Sequence, residues 1–344
     1  MLNNIMTEGE CSKLRSLIHH ANNIVLCCHV SPDGDAIGSV LGMAEVLKCM
    51  GKEPVMVVPD QFPDYLQWLP NTEKIVRYDK RSDYVDMVLK IADLVICLDF
   101  NALSRTDDME AALEACTAPR VLIDHHLNPS IACQVCVSHP NMSSASELVF
   151  RVAWQLGLFE QLGRHFATAV YCGMMTDTGG FTFNSNSPET FYIISQLLTK
   201  HINKDKIYRN VYHNYSESRL RLVGHVLCNC LVVDAKRHAA YYTLTREDQK
   251  NFNFIKGDAE GIVNMPLQIK GLRLSISLRE DTEKPNLVMV SLRSVDDFPC
   301  NLMAADFFNG GGHLNASGGK LHCTMEEAVK VVERAFLAYE DKLK

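Results

Sequence analysis

Along the first 125 positions the apolar residues come in short unbroken runs. NIVLCCH (23–29), EPVMVVP (53–59), DLVICLD (93–99) and PRVLIDH (119–125) each read as a strand buried on both faces. Between them, AIGSVLGMAEVLKCM and MEAALEACTA carry apolar residues at helical spacing. Strands separated by helices predict βαβ units and a parallel sheet covered on both sides. SASELVFRVAWQLGL (144–158) and RHFATAVYCGMMTDT (164–178) extend the helical pattern, and the polar stretch 187–225 reads as a helical connector. The period then changes. CNCLVVDA (228–235) with HAAYYTLT (238–245), and LRLSISLRE (272–280) with NLVMVSLRS (286–294), predict paired strands. LRLSISLRE alternates as a half-exposed strand should, and MEEAVKVVERAFLAYEDKL closes the chain as an amphipathic helix. The expected architecture is α/β. A mostly parallel sheet with helices on both faces occupies residues 1–190, a helical linker 191–226, and a smaller α/β domain with a mixed sheet 227–344.

Composition narrows the class. The chain has 344 residues, 47% hydrophobic and 22% charged, as an ordinary globular protein of two domains has. No segment reaches the ~18 uninterrupted apolar residues of a membrane span. The start, MLNNIMTEGECSKLRS, lacks the basic and apolar stretches of a secretory signal, so a cytoplasmic location without membrane attachment is expected. Thirteen cysteines sit mostly in apolar runs (Cys27, Cys28, Cys97, Cys172) and read as small buried hydrophobes in a reducing compartment. The one CxxC, Cys133 to Cys136, reads as a strand with buried thiols, because Cys228 and Cys230 do not complete a zinc set with it. A net charge of −7 argues against extended duplex binding but leaves room for a small anion at a local positive site.

The unusual residues fall at the ends of elements. His29, Asp33 and Asp35 follow the first strand, in HVSPDGDAIGS; Asp99 ends the third; Asp124, His125 and His126 end the fourth; Asp177 ends a helix at MTDTGG. One aspartate at such a place is an ordinary helix cap. Four such clusters on neighbouring elements converge, because loops at the carboxyl ends of parallel strands share one crevice. Carboxylates with a few imidazoles suit two Mn²⁺-like ions better than Zn²⁺ in a thiolate cage or Ca²⁺ in an all-oxygen cage, with a mid-sheet aspartate such as Asp99 as the bridge. Such a pair, about 3.5–4 Å apart, holds a shared hydroxide and polarises a phosphoryl oxygen. No P-loop, dinucleotide fingerprint, HExxH or GxSxG is present. The remaining anomaly is FFNGGGHLNASGG, whose consecutive glycines let a backbone approach an anion closely.

Taken together, HVSPDGDAIGS, LDFN, IDHH, MTDTGG and GGGHLNASGG resemble the motifs of the DHH phosphoesterase superfamily with its DHH-associated C-terminal domain. The resemblance spans nearly the whole chain and is greatest to the branch of oligoribonucleases that also dephosphorylate 3′-phosphoadenosine 5′-phosphate (pAp). It implies that His29, Asp33 and Asp99 hold one Mn²⁺ and that Asp35, Asp99, His125 and Asp177 hold a second, with Mg²⁺ or Co²⁺ as substitutes. It further implies that His126 contacts the scissile phosphate, while Gly311, Gly312 and His313 bind the rest of the substrate. Arg293 is the expected phosphate clamp. One departure is Asn309, where the family often has another glycine before GGGH.

The implied reaction is two-metal hydrolysis of short RNA, of about two to five nucleotides, since longer polymers need a basic track. Phosphoanhydride hydrolysis and cyclic-dinucleotide hydrolysis are alternatives, and a non-catalytic nucleotide sensor would be expected to lack one or more ligands. A homodimer is compatible with the chain and is not legible from it.

Overall fold

The structure, a computed structural model, describes residues 2–255 and 257–344. The chain divides into two compact units, Met1–Asn214 and Tyr215–Lys344. The division falls inside the stretch read as a connector.

The first unit opens with α1 (Glu8–His20), β1 (Ile24–Cys27) and α2 (Gly34–Cys49). It continues through β2 (Val55–Val58), β3 (Val76–Arg77), α3 (Tyr78–Lys90), β4 (Leu94–Leu98), α4 (Glu110–Ala115), β5 (Arg120–Asp124) and β6 (Val135–Ser138). Four helices complete it: α5 (Ala145–Gln155), α6 (Arg164–Asp177), α7 (Pro188–Leu198) and α8 (Lys204–Tyr212). Among the described residues its six strands are parallel, in the order β3-β2-β1-β4-β5-β6. Alternate residues of each strand enter different cores. Leu26, Ile96 and Ile123 pack with α2, α5 and α6, while Val25, Cys97 and Leu122 pack with α3 and α4. Burial on both faces is why these strands read as unbroken apolar runs.

Helices α7 and α8 stay with this unit because Ile193, Leu197, Ile207 and Val211 are buried in its larger core. The CxxC reading needs correction. Cys136 is exposed and Cys133 only partly buried, because β6 is the sheet's edge strand and turns that side to solvent.

The strand order reverses between β1 and β4. Crevices at such switch points receive ligands at the carboxyl ends of the strands. Helix α2 crosses α6 closely nearby. A Cβ on Gly38 would stand 2.7 Å from the Ala169 carbonyl oxygen and 2.9 Å from the Gly173 Cα, so only glycine permits that approach.

The second unit begins with α9 (Glu217–His225), a π-helical turn (Val226–Cys230) and β7 (Leu231–Asp234). Residues 228–230, expected in a strand, therefore belong to the turn. After them come β8 (Ala239–Leu244), α10 (Arg246–Asn251), β9 (Leu274–Glu280), β10 (Val288–Ser294), α11 (Cys300–Phe307), β11 (Gly311–Gly312), β12 (Ala316–Leu321), α12 (Met325–Ala338) and α13 (Glu340–Leu343). Six described strands form a mixed sheet, β11-β12-β10-β9-β8-β7, in which only β8 and β9 pair in parallel. Ile276 and Leu278 of β9, with Val290 and Leu292 of β10, meet Ala328, Val332 and Phe336 of α12 in the core of this unit. No helix among the described residues is long and apolar enough to cross a membrane.

Candidate metal centre

The switch point gathers the polar residues of the first unit. β1 and β4 pair with Cys27 opposite Cys97, which sets His29 and Asp99 beside each other just past the strand ends. The Asp99 amide donates to the Ile123 carbonyl at 3.1 Å, so Asp124 and its two histidines continue the same row on β5. Asp99 itself has φ of 63°, the left-handed region. Aspartate tolerates that conformation better than most residues, and such strain concentrates at functional sites.

Two helix ends supply the rest. Asp33 caps α2, its side chain accepting from the Asp35 and Ala36 amides. Asp35 is buried, and its carboxylate accepts from Ala145 N at 2.6 Å and Ser146 N at 2.8 Å, at the start of α5. Helix N-termini stabilise a negative charge placed there. Asp177 is the last residue of α6.

The distances define a cluster. His29 Nε2 lies 3.4 Å from Asp99 Oδ2 and 3.9 Å from Asp33 Oδ1. His125 Nε2 lies 3.5 Å from Asp99 Oδ1, 3.6 Å from Asp177 Oδ2 and 3.9 Å from Asp35 Oδ2. Both rings turn Nδ1 to a backbone carbonyl, His29 to Val30 at 2.8 Å and His125 to Met142 at 3.3 Å. A carbonyl can only accept, so Nδ1 carries the proton in the neutral ring and Nε2 presents its lone pair to the carboxylates. Metal-binding histidines are commonly oriented this way. His126 differs: its Nδ1 lies 2.7 Å from Asp124 Oδ1 and 3.7 Å from Asp99 Oδ1.

The electrostatics describe a site with excess negative charge. Burial opposes the charged form of Asp99, yet it stays well below the usual carboxylate range because His125 and His29 face it. Burial alone would lower the His29 imidazole, but Asp99 and Asp33 outweigh it and raise it to about 9. His125 is raised well above its ordinary value against the same burial, by Asp177, Asp99 and Asp35. Asp35 is pushed far up by burial and by the neighbouring charges of Asp99 and Asp177, and burial leads in lifting Asp177 to about 6. Carboxylates and imidazoles that both retain protons are what a cation would replace.

The residues fit divalent cations. Asp99 Oδ1 and Asp124 Oδ2 are buried with no hydrogen-bond donor among the described residues. The donors form sets that could hold an ion, His29–Asp33–Asp99, Asp35–His125–Asp177 and Asp99–Asp124–His126, within each of which the ligand atoms lie inside 4.8 Å of one another. Imidazole nitrogen and carboxylate oxygen without thiolate suit Mn²⁺, Mg²⁺ or Co²⁺.

Arg293, Gly311, Gly312 and His313 lie in the second unit. Arg293 pairs with Ala316 across β10 and β12, and Gly311 and Gly312 pair with Gly318 and Ser317. The glycine run is thus an edge strand in a hairpin, closed by the His313 amide on the Ala316 carbonyl at 2.8 Å. Asn309 has φ of 49°, which explains how asparagine serves where the family often has glycine. Asp124 is the residue to which the sequence reading gave no role. It stands first in the DHH triplet, and only the bond to His126 shows what it touches.

Residues 23–174 match the model of the DHH family, N-terminal domain. The chain is 49% identical to the crystal structure of an exopolyphosphatase-related protein from Bacteroides fragilis, with a TM-score of 0.94 and 99% of each chain covered. It is 29% identical to the bifunctional oligoribonuclease and PAP phosphatase NrnA of Thermus thermophilus, over 87% of this chain and 84% of that protein. RecJ from Thermus thermophilus, solved in complex with Mn²⁺, shares the fold at a TM-score of 0.58 and 11% identity, over 97% of this chain and 54% of that one. The chain belongs to the DHH family of phosphoester hydrolases.

Proposed function

We propose that this hydrolase cleaves short oligoribonucleotides to mononucleotides and converts pAp to AMP, using two divalent cations at the β1–β4 switch point. The observation that carries the reading is the position of Asp99. Its Oδ2 faces His29 and its Oδ1 faces His125, as a carboxylate shared between two ions must. We assign His29, Asp33 and Asp99 to one Mn²⁺-class ion and Asp35, Asp99, His125 and Asp177 to the other. When bound, the pair supplies Lewis acidity towards a phosphoryl oxygen.

The chain's own residues do the rest. Asp124 accepts from His126 Nδ1 and fixes that ring. His126 Nε2 is then the ring atom that meets the scissile phosphate. Arg293 clamps a further phosphate, while His313 and the backbone amides of Gly311 and Gly312 hold the rest of the nucleotide. A short substrate suits a chain of net charge −7, because a few phosphates need no extended basic track. The oligoribonuclease relatives support this choice.

A second reading is phosphoanhydride hydrolysis, favoured by the 49% identity to the exopolyphosphatase-related protein. A panel of pApA, pAp, cyclic di-AMP and polyphosphate, each with Mn²⁺ and with chelator, separates them. Chelator-sensitive release of mononucleotide from pApA, with phosphate release from pAp, is expected. Turnover of polyphosphate alone would move the chain to the second reading.

A further inference from the structure

The second unit carries a group of side chains that phosphoester chemistry does not use. His225 Nε2 lies 2.8 Å from Asp248 Oδ1, and a ligand atom of Cys230 lies within 4.8 Å of both. All three residues are half-buried. Asp248 is anchored on its other side, where Oδ2 accepts from Thr245 N at 3.0 Å and Thr245 Oγ1 at 2.6 Å in the capping box of α10. The His225 ring packs against Phe252, with centroids 5.0 Å apart.

The backbone that delivers Cys230 is unusual. Helix α9 ends at His225, and the π-helical turn occupies Val226–Cys230. In an α-helix, positions i and i+5 point roughly 140° apart. The wider π-turn, bonded i to i+5, brings them back to one side. His225 and Cys230 are such a pair, so the turn directs a thiol towards an imidazole–carboxylate pair that an α-helix would face away from. Turns of this kind are rare and frequently occur at functional sites.

We propose that His225, Cys230 and Asp248 form a second metal site, for a Zn²⁺-class transition-metal ion, with the fourth tetrahedral position open to water. One imidazole, one thiolate and one carboxylate make a borderline-soft donor set, unlike the thiolate-free centre of the first unit. Ligand atoms about 2.0–2.3 Å from a tetrahedral ion stand roughly 3.3–3.7 Å apart, a spread that small side-chain rotations reach from here. Binding displaces the proton between His225 and Asp248 and releases the Cys230 thiol proton. The ion then ties the end of α9 and the start of β7 to α10.

The test is Co²⁺ titration of the full-length, metal-stripped protein, followed in the near ultraviolet. A thiolate bound to Co²⁺ absorbs there by charge transfer, which imidazole and carboxylate donors do not reproduce. The expected band rises to the intensity of one Co²⁺–thiolate bond per chain whatever Co²⁺ the thiolate-free centre also takes up, disappears in Cys230→Ser, and survives in Cys228→Ser and Cys133→Ser. His225→Gln should weaken the Co²⁺ affinity on the order of tenfold or more. Circular dichroism checks that each variant is folded. Absence of the band in the wild type, its persistence in folded Cys230→Ser, or its loss in Cys133→Ser would overturn the proposal.

Discussion

The acidic centre of the first unit and the glycine hairpin of the second are built from opposite materials. The first crowds carboxylates and imidazoles into a buried crevice and fixes each by a carbonyl, a helix end or a neighbouring carboxylate. The second removes side chains, so that what it offers is backbone. A Cβ on Gly310 would overlap the Gly318 carbonyl oxygen, and one on Gly312 would stand 2.6 Å from that of Ala316. The contrast predicts different sensitivities. The first region should fail when charge or orientation changes, and the second when a contact to substrate is lost.

The largest expected effect is at Asp99. Asp99→Asn keeps a residue that tolerates φ of 63° while removing the shared charge. Turnover should fall on the order of a thousandfold, with thermal unfolding little changed. Near wild-type kcat in the folded variant would remove Asp99 from its assigned role.

Asp124→Asn comes next. It preserves shape and removes only the charge that holds His126, so kcat should drop roughly ten- to a hundredfold with bound metal unchanged. Loss of metal in this variant would make Asp124 a ligand instead.

Gly38→Ala tests the scaffold. The added Cβ must push α2 off α6, costing about 1–3 kcal/mol in urea unfolding. Because Asp35 and Asp177 ride on those two helices, turnover should fall as well. Unchanged stability would mean that the crossing relaxes freely.

Arg293→Ala is the mildest of the four. KM for pApA should rise about tenfold at nearly constant kcat, the signature of lost uniform binding. An unchanged KM on every substrate would take Arg293 out of the site.

Much of this organisation was legible in the sequence because burial on both faces leaves an unbroken apolar signal. The runs ending at His29, Asp99 and His125 lie within a residue or two of the ends of β1, β4 and β5. Local rules failed where the decisive partner is distant in the chain. The two-residue strand β3 has no apolar run to announce it and exists because β2 lies beside it. Cys136 looks buried by composition, yet an edge strand exposes it. The stretch CNC scans as the start of a strand, but the chain continues from α9 into a π-turn before β7 begins.

The sequence by itself determined the α/β class, the positions of the main strands and the carboxylate and imidazole types at their ends, because these depend on local periodicity and side-chain chemistry. The tertiary structure decided which atoms meet. That the Asp35 carboxylate meets the start of α5 and that Asp99 faces two histidines depend on the register of parallel strands and the close crossing of α2 and α6. No local pattern encodes those two contacts, because each joins groups far apart in the chain whose separation is set by packing between elements.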